Sequence, residues 1–127
     1  MISRKLKKYI DKRGWLLENV NSEIMRDFSH FFISLSKQNV IRGNHYHLKK
    51  IEWFLIIQGI CEIHIEDIDT NIKEVLTLCQ ENQKMIMIEP NKAHAFKNIG
   101  KVDLIILAIV NKPFDHSKPD TFDYKII

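Results

Sequence analysis

Apolar and polar residues alternate most plainly in Cys61-Glu62-Ile63-His64-Ile65-Glu66, where one set faces a core and the other solvent. A period of two predicts a strand. Comparable short runs at 31–36, 53–58, 74–78, 84–88 and 102–110 recur about every ten residues, the spacing of a sandwich or barrel. Between them lie Gln58-Gly59, 67–71, 80–83, Pro90-Asn91-Lys92 and Asn98-Ile99-Gly100, all rich in turn formers. A short helix is predicted over 21–28, capped by Asn21 or Ser22, with Ile24, Met25 and Phe28 as its apolar stripe. The tail, about 113–127, holds too many turn formers for a core strand.

Composition strengthens the all-β reading, because 21 of the 127 residues are isoleucine and β-branched side chains favour a pleated surface. With only four glycines and three prolines, asparagine and aspartate must form many of the turns. Hydrophobic residues make up 45%, enough for one core, and no repeat or linker divides the chain, so residues 1–127 are read as a single domain. Charged residues are scattered and sum to +3, which excludes a disordered or charged tail. The only basic cluster is 4–8, so nucleic-acid binding is not expected.

The longest apolar run, 104–110, is far short of the roughly 20 residues that span a bilayer. Residues 1–10 lack the apolar stretch and cleavage site of a secretory signal, and a cytoplasmic location is expected. Cys61 and Cys79 lie in apolar-periodic segments without C-x-x-C spacing and are read as buried, reduced thiols.

The chemistry is concentrated in the histidines. His45 and His47, two apart in a strand, project to one face and can chelate one cation. Glu52 is too far along the same strand to join them, but a turn through Leu48-Lys49-Lys50 returns it on the next strand, which Gly59 ends. His30, His64 and His116 stand apart and read as hydrogen-bonded structural residues.

The stretch from His45 through His47 and Glu52 to Gly59 reads H-x-H-x4-E-x6-G and resembles the first motif of the cupin superfamily. The second cupin motif, P-x-G-x2-H-x3-N, is matched in part from Glu89 to Asn98, with His94 and Asn98 in place, Glu89 for the proline and Asn91 for the glycine. Asn39 likewise stands where a glycine usually precedes the first motif. Asparagine tolerates positive φ, so it can serve at such positions. The resemblance implies a double-stranded β-helix, the jelly-roll barrel, with a metal held inside by His45, His47, Glu52 and His94. That donor set suits a divalent ion such as zinc, manganese, iron or nickel, and the resemblance favours zinc.

Asp11-Lys12-Arg13-Gly14-Trp15-Leu16-Leu17-Glu18 and Arg42-Gly43-Asn44-His45-Tyr46-His47 resemble segments of dTDP-4-dehydrorhamnose 3,5-epimerase-type cupins. The second segment, with Asn111-Lys112-Pro113-Phe114 and Lys118-Pro119-Asp120-Thr121-Phe122, is similar to the C-terminal cupin domain of bifunctional capsular-polysaccharide enzymes. Those domains bind metal and epimerise a UDP-4-keto-sugar. The resemblance therefore implies a metal-binding epimerase or isomerase acting on a nucleotide-linked 4-keto-sugar in surface-polysaccharide biosynthesis, and a homodimer paired through its sheets. A non-catalytic sugar- or metabolite-binding cupin is the alternative, and an iron-dependent dioxygenase a third.

The two family patterns give His45 different roles, catalytic base in one and metal ligand in the other. Because His47 completes H-x-H, the ligand role is favoured. Lys50, Tyr46 and His30 are then candidate bases, with Lys50 on the strand parity of Glu52. Arg42 is a candidate for diphosphate or sugar, since guanidinium matches phosphate oxygens, or else forms a surface salt bridge. By resemblance Arg13 and Glu18 contact the nucleotide from a neighbouring subunit, and Asn98 is a further substrate-site candidate. Trp53 and Phe54 should face opposite sides of their strand.

Overall fold

Antiparallel pairing organises the chain. Its structure, a computed structural model, describes residues 2–19, 24, 26, 28–112 and 115–127. The strands are β1 (Ile2–Lys5), β2 (Lys7–Asp11), β3 (Gly14–Glu18), β4 (His30–Ser36), β5 (Ile41–Tyr46), β6 (Glu52–Gln58), β7 (Cys61–Asp67), β8 (Lys73–Leu78), β9 (Lys84–Ile88), β10 (Lys92–Asn98), β11 (Leu104–Val110) and β12 (Phe122–Asp123). One five-stranded sheet has the order β1-β9-β6-β11-β4, the other β12-β5-β10-β7-β8, and β2 with β3 forms a separate ribbon. The two sheets close on each other as the expected jelly roll.

The core fills the space between the sheets. Phe54, Ile56, Ile86, Ile88, Ile106 and Ala108 from the first sheet meet Cys61, Ile63, Ile65, Leu78 and Phe96 from the second. Phe54 and Trp53 do face opposite ways. Trp53 packs with Ile24 and Met85 in a second cluster, which Leu55, Met87 and Ile109 extend. That second cluster explains why β11 is apolar throughout: Leu104, Ile106, Ala108 and Val110 are buried, and the alternate residues are partly covered too. Most of the helix expected over 21–28 lies outside the described residues. No helix among those described is long and apolar enough to cross a membrane.

Three expectations need correction. The polar face of β7 is not open to water throughout, because Glu66 is buried and accepts a 2.9 Å hydrogen bond from the Tyr124 hydroxyl of the tail. Cys79 is only half-buried, whereas Cys61 is fully enclosed and burial pushes its thiol pKa up to about 12. The run expected from 102 begins as a strand only at Leu104.

Asparagine carries the turns as anticipated: Asn39, Asn44, Asn71 and Asn91 all have φ between 54° and 65°. Asn44 matters most. On β5, His45 pairs with His94 and Gly43 with Ala95, so the pairing skips Asn44 and the strand bulges there. The extra residue shifts the side-chain parity. Arg42, opposite Phe96, therefore faces the interior along with His45, although the two are three residues apart.

Candidate active site

A cavity of about 360 Å³ opens between the sheets, within the roughly 300–1,000 Å³ typical of small-molecule sites. Phe32, Phe54, Phe96 and Ile106 form its apolar wall, and His45, His47, Glu52, His94, Lys50 and Arg42 converge on it. Four elements supply these polar groups. His45 comes from β5, with His47 just past its end; Glu52 opens β6 in the opposite sheet; His94 sits mid-way along β10.

The ligand atoms of His45, His47 and His94 lie within 4.8 Å of one another. Glu52 Oε1 is 2.9 Å from His47 Nε2 and 3.5 Å from His94 Nε2. The other ring nitrogens are taken by carbonyls: His47 Nδ1–H donates to the main-chain oxygen of Asp120, and His94 Nδ1–H to that of Lys92 at 3.1 Å. Each Nε2 is thereby left as the lone-pair atom, the tautomer a metal ligand requires. Neither His47 Nε2 nor Glu52 Oε1 has a hydrogen-bond partner, and both atoms are buried. Two acceptor atoms this close without an aligned hydrogen between them fit a shared cation.

At His94 and His45 electrostatics agrees with that geometry. Burial pushes the His94 pKa down to about 4 and lowers that of His45, favouring neutral imidazoles. Burial also disfavours charge on His47 and Glu52, but each offsets the loss for the other, so His47 is raised and Glu52 lowered from their ordinary values. Once the proton that His47 and Glu52 can share is displaced, three imidazole nitrogens and one carboxylate form a donor set for a borderline divalent ion.

The remaining candidates separate. Lys50 is buried and lines the cavity. Arg42 lines it too, with Nε donating to Ser36 Oγ at 2.9 Å and Nη2 to the Leu35 carbonyl at 3.0 Å, so it is held by β4 instead of forming the alternative salt bridge. Tyr46 is corrected: it stacks on Phe122 and meets Tyr124 edge-on beneath the tail, and is absent from the cavity lining. Asn98 is corrected as well. It is fully buried, donates to the carbonyls of Ser36 and Val102, and accepts from Gly100 N–H, a staple joining strand ends with no atom left for substrate. Arg13 and Glu18 lie on the β2–β3 ribbon, where Arg13 pairs with Asp11, and they do not line this chain's cavity. His30 opens β4, and its half-buried ring likewise stays out of the lining.

Sequence reasoning assigned no role to Asp120 or Asn111, although both fall in segments that carried a resemblance. The corner 48–51 crosses from one sheet to the other and has no strand partner for its N–H groups. Asp120 accepts from Leu48, Lys49 and Lys50 at 2.8–3.1 Å, and Asn111 Oδ1 from Ile51 at 2.9 Å.

Comparison with known proteins gives this architecture a family. The polysaccharide biosynthesis C-terminal domain matches residues 9–122. The chain belongs to that family. As such a domain it is 31% identical over 114 residues to UDP-2-acetamido-2,6-beta-L-arabino-hexul-4-ose reductase of Pseudomonas aeruginosa, covering 88% of this chain and 29% of the relative. The capsular polysaccharide assembling protein CapF of Staphylococcus aureus superposes with a TM-score of 0.75 at 24% identity, over 96% of this chain and 35% of CapF. The dTDP-4-dehydrorhamnose 3,5-epimerase of Sulfolobus tokodaii gives 0.74 at 23% identity, over 87% and 69%. The chain therefore spans about a third of the first two relatives, and its fold is shared with the two solved structures.

The bulge that sets the site is the most sensitive backbone feature. A Cβ on Gly43 would lie 2.6 Å from the His94 carbonyl oxygen, at a φ of +95° that L side chains rarely adopt. Gly43→Ala is expected to cost about 1–3 kcal/mol in urea unfolding; an unchanged midpoint would show that β5 and β10 do not meet as described.

Proposed function

We propose that this domain is a metal-binding sugar epimerase or isomerase acting on a nucleotide-linked 4-keto-sugar in surface-polysaccharide synthesis. The observation that carries the reading is the convergence of His45, His47, His94 and Glu52 beside Lys50 and Arg42 in one apolar-walled cavity. A relative named for a UDP-linked hexul-4-ose supports the substrate class. The named residues suit the ketone chemistry.

Epimerisation breaks a C–H bond beside the carbonyl; the proton passes to a base, the electron pair delocalises onto the carbonyl oxygen, and a proton returns on the opposite face. A divalent ion held by His45, His47, Glu52 and His94 would supply Lewis-acid stabilisation of negative charge on oxygen. Lys50, buried in the cavity lining, would move the proton. Arg42 orients the diphosphate or the sugar through guanidinium hydrogen bonds. Phe32, Phe54 and Phe96 exclude water, which strengthens each of these interactions. With Tyr46 turned away, the cavity has few proton carriers, and this favours the second reading, a sugar-binding cupin without turnover.

Pairing of two copies completes the proposal. β4 is an edge strand with Phe31, Ile33 and Leu35 exposed at 58%, 60% and 44%, and an uncovered apolar edge of this kind favours association. The proposed setting is the cytoplasm, where nucleotide-sugar precursors would be handled.

Zinc should bind with one ion per chain by elemental analysis, and His47→Ala or His94→Ala should lose it; full occupancy in both variants refutes the ligand set. A UDP-4-keto-sugar incubated in heavy water should gain deuterium beside its carbonyl, and Lys50→Met should slow this by about 10²-fold or more. Binding without deuterium uptake selects the non-catalytic reading, and oxygen consumption by the iron-loaded protein would select the dioxygenase. Sedimentation should show a dimer that Ile33→Lys dissociates; a wild-type monomer removes the pairing.

A further inference from the structure

The corner 48–51 joins two of the proposed ligands, His47 just past β5 of one sheet and Glu52 at the start of β6 in the other, so its shape sets how those ligands face each other. Asn111, just past β11, holds only its last residue, Ile51. The N–H groups of 48–50 are met by a single residue of the tail, from 70 to 72 positions away in sequence. The carboxylate of Asp120 accepts from three consecutive backbone N–H groups, Leu48 to Oδ1 at 2.8 Å, and Lys49 and Lys50 to Oδ2 at 2.9 and 3.1 Å. Its main-chain carbonyl accepts from His47 Nδ1–H, while the hydroxyl of the next residue, Thr121, stands 3.5 Å from the same nitrogen. One residue thus governs both the turn between the ligands and the rotation and tautomer of one ligand ring.

We propose that Asp120 is a positioning residue for the metal centre: it fixes the His47–Glu52 corner in its ligating geometry from outside the ligand shell. This rests on the metal reading given above. A carboxylate is the group suited to the task, since three parallel N–H donors at one turn present concentrated positive potential to an anion. An asparagine offers one acceptor oxygen and places two further donors against the same turn. An alanine leaves three N–H groups without their acceptor, and the turn is then free to open. Outer partners of this kind typically change metal affinity by about 10–100-fold when removed. The neighbouring tail residue Asp115 is a matched control, because its carboxylate bonds only within the tail, to Ser117 and Lys118.

The test is zinc affinity of the full chain by chelator competition, with the thermal shift produced by zinc measured alongside. Asp120→Ala should bind zinc about 10–100-fold more weakly, Asp120→Asn less severely, and Asp115→Ala as the wild type. The zinc-induced rise in melting temperature should shrink in the Asp120 variants, whereas a purely structural role would lower the melting temperature with and without zinc by the same amount. Cobalt in place of zinc should show altered visible bands in Asp120→Asn. Wild-type affinity and an undiminished zinc-induced shift in Asp120→Asn overturn the proposal, and Asp120→Asn decides the question if Asp120→Ala does not fold. Failure of the wild type to bind zinc or cobalt defeats the metal reading itself, and with it any role for Asp120 in positioning ligands.

Discussion

A buried carboxylate enclosed by three imidazoles is the constraint that the rest of this structure serves. Glu52 is 5% exposed, and a buried charge without compensation costs several kcal/mol. Compensation requires His45, His47 and His94 within reach; His45 and His94 belong to the sheet opposite Glu52, and His47 directly follows β5 of that sheet. The two sheets must therefore close at a fixed separation. The hydrophobic core provides that closure, and the polar cluster specifies where along the barrel it happens.

Three local devices convert this need into geometry. The bulge at Asn44 turns Arg42 and His45 to the same side. The close approach of Gly43 to the His94 carbonyl brings β5 against β10. The corner 48–51 carries the chain between sheets, and its backbone groups are satisfied by side chains from 111 and 120 because no ladder is available there. Each device lies within a few residues of a proposed ligand.

Much of this was legible in the sequence. The strands at 61–66 and 84–88 follow from alternation and β-branched content, and the four candidate ligands from the resemblance to the two cupin motifs. β10 was not legible as a strand, since Lys-Ala-His-Ala-Phe-Lys-Asn contains no β-branched residue and its pairing comes from neighbours on both sides. The placement of Tyr46 and Asn98 was not legible for a related reason. A residue's position beside a motif does not reveal which face it takes or whether its polar atoms are already used: Tyr46 is claimed by Phe122 and Tyr124, Asn98 by Ser36, Val102 and Gly100. The role of Asp120 depends on a contact across seventy residues, which no local pattern encodes.

That long reach has a kinetic implication. His47 and Glu52 are separated by a single corner, and His94 joins through β10, whereas the tail can dock only after the whole intervening chain has been made and folded against itself. Closing so long a loop is entropically slow compared with forming adjacent hairpins. The fastening of the tail at the corner belongs with the β1–β9 and β4–β11 pairings, which close loops of similar or greater length, among the slow steps, and a cup caught before it would present the His47 ring without the carbonyl that holds it.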